Sequence, residues 1–113
     1  MIVTERFSQL SVSRQALVRL FQSINFGEIL GVAIKNGEPI FQPQPTALVD
    51  VKLDADVGPR PETALDDFEL RDEVRRLMTR LTELQNGTIV RIEVRAGIPR
   101  RLTIERQMME ASL

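Results

Sequence analysis

The first segment with a clear hydrophobic pattern predicts an amphipathic helix over residues 14–26. Its apolar residues recur at the spacing that brings side chains to one face of a helix. They are Leu17, Leu20, Phe21 and Ile24. Ser13 precedes the helix as a candidate N-cap, because its hydroxyl accepts a hydrogen bond from a free amide of the first turn. Gly27 predicts the helix end, because glycine readily adopts left-handed backbone.

Residues that alternate between hydrophobic and polar predict three strands after this helix. The apolar face of the first strand consists of Leu30, Val32 and Ile34. The pair Asn36-Gly37 then predicts a tight hairpin turn, and residues 38–41 form the return strand. Residues 46–54 predict a third, half-buried strand. Its apolar face consists of Ala47, Val49, Val51 and Leu53.

A second amphipathic helix is predicted over residues 67–86. Asp66 and Glu69 have the spacing of a capping box, in which two side chains bond to free amides at the start of a helix. Gly87 predicts the helix end. The apolar stripe consists of Leu70, Val74, Leu77, Leu81 and Leu84, and Met78 lies beside it.

The end of the chain predicts a second hairpin. Its first strand carries Val90, Ile92 and Val94 on one face. Residues 96–99 form the turn, and residues 101–106 return with Leu102 and Ile104 directed inward. The element order is therefore α-β-β-β-α-β-β. Because neighbouring strands can all pair antiparallel, we expect an α+β fold with one antiparallel sheet and two helices.

The two helix-hairpin segments predict an internal duplication. When the chain is shifted by 60 residues, Gly27 meets Gly87, Gly37 meets Gly97 and Pro39 meets Pro99. Glycines at a helix end and a hairpin turn are where backbone geometry requires them. We expect a single domain over residues 1–113, with pseudo-repeats over residues 13–42 and 67–106. Strand 46–54 and a linker over residues 55–65 join the two.

Each predicted unit resembles the small YezD-like bacterial proteins, a family of unknown function with about half this length. The first unit carries the pattern as Phe26-Gly27-Glu28-Ile29 and Lys35-Asn36-Gly37. The second unit departs from it, with Asn86 before Gly87 and Ala96 before Gly97. The resemblance implies a fold unit and a bacterial source. It implies no activity and no catalytic residues.

The order of elements is also similar to that of the type III secretion chaperones, which are small, acidic and dimeric. The similarity lies in the topology, since no sequence motif is shared. Shared topology by itself does not establish function.

Composition excludes several classes of activity. The chain has no Cys and no His, so zinc sites of Cys and His and nucleophile pairs that need either residue are ruled out. The net charge of -1 argues against a surface built wholly for nucleic acid. The absence of Cys, of an apolar leader and of a membrane-length apolar run predicts a soluble cytoplasmic protein. We expect no enzymatic activity, no metal and no cofactor.

Acidic residues cluster around the predicted third strand and the linker after it. Asp50 and Asp54 share one strand face, and Asp56 follows them. Carboxylate oxygens suit a hard cation, but the further ligands of a calcium loop are missing. The pattern is also typical of a solvated strand face and linker, which is the interpretation we favour.

The second half of the chain is rich in arginine. Its predicted strand pair carries the candidate anion-binding residues Arg91, Arg95, Arg100 and Arg101. Clustered arginines bind phosphate backbones, although no aromatic residues alternate with them to stack on bases. Arginines at helical i,i+4 spacing from acids form surface ion pairs instead.

Two surfaces are candidates for self-association. One is the apolar stripe of the second helix, with Leu70, Val74, Leu77, Met78 and Leu81. The other is a strand face of small residues around Gly31 and Ala33, which invites close approach by another layer. Both also fit a chain that covers these surfaces itself. The sequence therefore predicts a homodimeric, non-enzymatic module that binds or assembles with a protein or peptide. The alternative is a nucleic-acid-associated protein that uses the Arg-rich half.

Overall fold

Two helices and a five-stranded antiparallel sheet make up the fold. The computed structural model describes residues 5–55 and 58–105. Within this part of the chain, the helices are α1 (Val12–Ile24) and α2 (Asp72–Leu84). The strands are β1 (Phe26–Lys35), β2 (Glu38–Ile40), β3 (Thr46–Val49), β4 (Gly87–Arg95) and β5 (Ile98–Glu105). The α+β class and the order α-β-β-β-α-β-β are confirmed.

The long strands β1 and β4 pair at the centre of the sheet. The order is β2-β1-β4-β5, and β3 also pairs with β1. Residues 27–30 of β1 pair with β3, and residues 33–35 pair with β2. Because β4 occupies the other edge of β1, β2 and β3 are two pieces of one interrupted return strand. Pro43 and Pro45 lie in the interruption, where their missing amides do no harm to the ladder.

Helix α1 begins and ends two residues earlier than its pattern predicts. The N-cap is Ser11 and not Ser13, because the Ser11 Oγ accepts a hydrogen bond from the Arg14 amide. The helix ends at Ile24, and its C-cap Asn25 has a φ of 65°. Gly27 therefore lies in β1, where a larger residue is excluded by steric clash. A Cβ atom at this position would lie 1.9 Å from the Leu48 carbonyl oxygen.

Helix α2 is shorter than predicted, and the capping box is wrong. Its N-cap is Arg71, which makes no side-chain capping bond. The box predicted from Asp66 and Glu69 is absent, because Glu69 forms a β-bridge with Arg6 and the neighbouring Asp67 accepts hydrogen bonds from the N-terminal segment. Residues 67–70 lie outside the helix and bond to that segment, with the Phe7 amide donating to the Phe68 carbonyl and the Leu70 amide to the Glu5 carbonyl.

The inward faces of the two central strands differ from the predicted alternation. Ile29 and not Leu30 is buried together with Val32 and Ile34. Buried residues three positions apart require an interruption of the pleat, and Gly31 between them has a φ of 76°. Strand β4 has the same interruption, with Ile89 and Ile92 buried, and Val90 between them is exposed.

The predicted third strand is wrong in length and burial. It covers Thr46–Val49 and not residues 46–54, because its partner β1 begins at Phe26. All of its residues are exposed, and so are Val51 and Leu53 beyond it. The apolar face expected to be half-buried is therefore open.

The apolar stripe of α2 belongs to the core and is not a free surface. The five candidate interface residues are each at most 5% exposed: Leu70, Val74, Leu77, Met78 and Leu81. They pack in one cluster with α1 and the central strands. A dimer interface on this stripe is therefore excluded in the folded chain, because the sheet already covers it.

Corresponding parts of the two halves lie 60 residues apart. Both helices have 13 residues, and they begin at Val12 and Asp72. The hairpin turns match as well, with a φ of 77° at Gly37 and 73° at Gly97. Each turn bonds to the end of the other half's helix. The Gly37 amide donates to the Gln85 carbonyl and the Gly97 amide to the Asn25 carbonyl, both at 2.8 Å.

Candidate functional site

A groove of about 390 Å³ runs between helix α2 and strand β5. Its floor is apolar and belongs to the edge of the core. Leu77 and Ile92 are buried there, and Leu102 and Ile104 are half-buried. Hydrophobic floors with charged groups at the rim are typical of sites that bind amphipathic ligands.

Four arginines surround this floor. Arg76 and Arg80 come from α2, where their spacing of four residues places them on one helix face. Arg100 and Arg101 come from β5. We call these four residues the arginine rim. The groove therefore combines an apolar floor with a concentration of positive charge.

A bulge in β5 brings Arg100 to the groove. Glu93 pairs with Arg101 and Val94 with Pro99, so Arg100 is an extra residue between two ladder positions. Bulges of this kind redirect a side chain that regular pairing would place elsewhere. The Arg100 guanidinium lies 2.8 Å from the Glu73 carboxylate of α2 and connects strand and helix.

The ion pairs of the arginine rim are weak. Arg80 lies 3.3 Å from Glu83, and the pair is about two-thirds exposed. Arg101 lies 3.6 Å from Glu93. Exposed pairs contribute about 0 to 1 kcal/mol, so an incoming carboxylate can compete for these arginines. Arg76 makes no ion pair with any residue in the ranges described, and it is exposed.

Of the four arginines that the sequence grouped, Arg95, Arg100 and Arg101 border one shallow pocket together with Glu93. Arg100 and Arg101 also border the groove as members of the arginine rim. Arg91 lies on the sheet face opposite the helices, 3.5 Å from Glu28. Arg76 and Arg80 were not predicted as site residues. Their i,i+4 spacing on the polar side of α2 was the available signal.

The matching place in the first half is closed by apolar side chains. Ala16 and Leu20 stand 60 residues before Arg76 and Arg80. Leu20 and Phe41 pack against the core, and the β1–β2 ladder has no extra residue. The helix-hairpin arrangement of the first half therefore has no charged groove at this place.

The small-residue surface around Gly31 and Ala33 is on the open face of the sheet. Gly31 is exposed, and a Cβ atom there would meet nothing within 4 Å. Ala33 is half-buried and pairs with Ile40. No helix of the described chain covers this face, so this candidate surface is accessible.

The acidic cluster does not form a recognisable metal site. Among residues 5–55 and 58–105, no group of three or more acidic side chains is placed to hold a metal ion. Asp50 and Lys52 border a different groove. Asp56, and Arg106 at the end of the predicted last strand, lie outside the described residues.

Comparisons with known proteins add no family. No family model, curated protein or solved structure matches this chain. The resemblance to YezD-like proteins and the topological similarity to type III secretion chaperones stay predictions. In the described part of the chain, no helix has the length and hydrophobicity needed to cross a membrane.

Proposed function

We propose that this protein is a non-enzymatic binding module that holds an acidic, partly apolar segment of a protein or peptide partner in the groove between α2 and β5. The observation that carries the proposal is the arginine rim above the floor of Leu77 and Leu102. Carboxylates of the partner pair with the guanidinium groups, and its apolar side chains cover the floor.

Strand β5 adds a second means of binding. Its outer edge pairs with no strand in the described residues, so its backbone groups are available to an extended segment. The bulge at Arg100 interrupts this edge and favours a short segment over continuous sheet extension. Backbone pairing supplies affinity, and the arginine rim selects for acidic partners.

Nucleic acid is the alternative ligand. Its support is the concentration of Arg91, Arg95 and Arg101 near one another on the sheet. Against it, Glu28 and Glu93 lie among these arginines at 3.5 and 3.6 Å, which lowers the local positive charge. The apolar floor of the groove also suits side chains better than phosphates, so we favour the peptide.

The test uses a labelled peptide of alternating Glu and Val or Leu, with a Lys-for-Glu version and a DNA oligonucleotide as competitors. We expect the acidic peptide to bind, and the double variant Arg76→Ala/Arg80→Leu to weaken it about tenfold or more. These replacements are the residues of the first half, so the frame tolerates them. Arg91→Ala/Arg95→Ala removes the same charge on the sheet face and leaves peptide binding unchanged.

Two results would overturn the proposal. One is an acidic peptide that binds no better than its Lys version. The other is equal loss of binding in both double variants, because the arginines of the groove would then contribute no more than those of the sheet face. A DNA affinity that falls about a thousandfold between 50 and 200 mM salt, and that depends on Arg91 and Arg95, would establish the nucleic-acid alternative instead.

We also infer that the protein is a homodimer and that its halves arose by duplication. The dimer is supported by exposed apolar residues of the first half, among them Leu48 and Leu53. The duplication is supported by the shared offset of 60 residues and the reciprocal bonds of Gly37 and Gly97. The cytoplasmic location stays a prediction from the sequence.

A further inference from the structure

The segment that leaves strand β3 is the most exposed apolar part of the described chain. Val49 is 51% exposed, Val51 72% and Leu53 96%. The strand ends at Val49, but the alternation of apolar and charged residues continues through Leu53. We call residues 49–53 the edge segment. Single exposed apolar residues are ordinary, but three at alternate positions form an apolar strip once the segment is extended as a strand.

The backbone of the edge segment has a free side. The Asp50 amide donates to the Phe26 carbonyl at 2.8 Å, so Asp50 directs its backbone groups towards β1. In an antiparallel ladder, alternate residues direct theirs to opposite edges. Val49 and Val51 therefore present their amides and carbonyls to the open edge, where no strand of the described residues pairs with β3.

The charges of the edge segment select a register for pairing with its own copy. An antiparallel pair centred on Asp50 or on Lys52 places like charges opposite each other. A pair centred on Val51 places Asp50 of each copy opposite Lys52 of the other. The same register sets Val49 opposite Leu53. Opposite charges and apolar pairs across strands stabilise a sheet, and like charges destabilise it.

We infer that a second copy of this chain occupies the edge segment through a two-fold antiparallel strand pair centred on Val51. The inference rests on the proposed homodimer and gives it an interface. Pairing extends β3 from Val49 to Leu53 in both copies and joins the two sheets into one. The apolar side chains of the two copies then lie side by side on one face of the joined sheet, and the same residues meet in both copies, as in an isologous interface.

Crosslinking tests the centre of the interface. Because the chain has no cysteine, Val51→Cys carries a single thiol. Opposite residues of a hydrogen-bonded antiparallel pair have Cα atoms about 5.5 Å apart, which suits a disulfide. We expect air oxidation to give a disulfide-linked species of twice the 12.8 kDa monomer mass. Thr79→Cys, exposed on α2, is the matched control and stays monomeric under denaturing conditions.

A charge exchange tests the register. Asp50→Lys and Lys52→Asp each place like charges opposite one another twice per dimer, and we expect each to weaken dimerisation about tenfold. The double variant Asp50→Lys/Lys52→Asp restores the opposite charges and recovers the original affinity. Sedimentation equilibrium measures all four proteins.

The outcomes separate this interface from the dimer itself and from the groove. A wild-type mass of 12.8 kDa at every concentration would overturn both the dimer and the edge segment. A dimer that is insensitive to the charge exchange and that gives no Val51→Cys disulfide would overturn the edge segment alone. Peptide binding at the arginine rim does not depend on either result, so its failure is recognised separately.

Discussion

The two halves of this protein share a frame and differ in what lies between helix and outer strand. In the first half, Leu20 and Phe41 pack into that space. In the second half, the same space is an open groove with Arg80 and Arg100 at its rim. The positions that hold the shared arrangement of helix and strands together are apolar in both halves, whereas the positions at the groove differ in character. The difference indicates which residues the fold requires and which it leaves free for binding.

The outer strands differ in the same way. The return strand of the first half is broken into β2 and β3, and the apolar edge segment follows it. The return strand of the second half, β5, is continuous except for the bulge at Arg100. One half therefore exposes an apolar edge with alternating charge, and the other exposes a basic groove. A protein with two such unlike surfaces on one frame can pair with itself through one and bind a partner through the other.

The largest difference between the two halves is expected when two glycines at matching positions are each replaced by alanine. Gly27→Ala places a Cβ atom against the Leu48 backbone, which cannot move without detaching β3. Such a clash costs about 2 to 3 kcal/mol of unfolding free energy. Gly87→Ala meets only the flexible Leu84 side chain, at 3.2 Å, and we expect a loss of about 0.5 kcal/mol or less. Urea unfolding of both variants measures the difference.

Equal losses at the two glycines would mean that the two halves are packed equally tightly at this position. We expect the loss at Gly27 to be accompanied by greater protease sensitivity of residues 46–53. That result would show that β3 alone is released, while the second half keeps its hairpin.

A smaller effect is expected where the linker crosses the first half. The Arg19 guanidinium donates to the Glu62 carbonyl at 2.9 Å and lies 4.4 Å from the centre of the Phe7 ring. The matching residue of α2 is Thr79, which is exposed. We expect Arg19→Ala to lower the unfolding free energy by about 2 kcal/mol, and Thr79→Ala to change it by less than about 0.5 kcal/mol.

Hydrogen exchange of the amides in residues 62–65 locates the effect of Arg19→Ala. Faster exchange confined to these residues and to residues 7–10 is expected, because Arg19 connects both segments to α1. If exchange increased evenly over the whole chain, Arg19 would support the core in general and the linker would not depend on it.

The elements and the inward faces of the helices followed from the sequence, but the inward faces of the two central strands followed only in part. Periodicity identified both helices and both hairpins, because the core requires apolar residues at regular spacing. It failed at Ile29 and Ile89, because the interruption beside each of them shifts the face by one residue. Glycine can adopt the left-handed backbone found at Gly31, but a glycine in the sequence does not require that conformation. Single-residue irregularities of this kind depend on how neighbouring strands meet.

The candidate site was only half predictable for a related reason. Arg100 and Arg101 stood out in a run of charge on a predicted strand. Arg76 and Arg80 are 20 or more residues away in sequence, and only the packing of α2 on β5 brings them to the same groove. The apolar stripe of α2 was mistaken for a contact surface because a sequence does not show how much of a helix its own sheet covers.

The smallest effect concerns the acid that stands at the crossing of the N-terminal segment and the linker. Hydrogen bonds from the Arg6 side chain and the Ser8 amide, each at 2.8 Å, lower the pKa of Asp67 from 3.8 to about 2. Because the folded pKa is lower, the folded state favours the carboxylate. This stabilisation is present above pH 4 and is lost as the pH falls to about 2.

Asp67→Asn is therefore less stable than wild type at pH 7, and we expect the two urea midpoints to converge between pH 4 and pH 2. Asp66→Asn, the exposed neighbour, is the control and follows wild type throughout. A difference between wild type and Asp67→Asn that is constant down to pH 2 would mean that the contact with Arg6 and Ser8 does not depend on the carboxylate charge. The N-terminal segment would then be held by its backbone bonds to residues 68–70 and by the packing of Phe7 on Phe68.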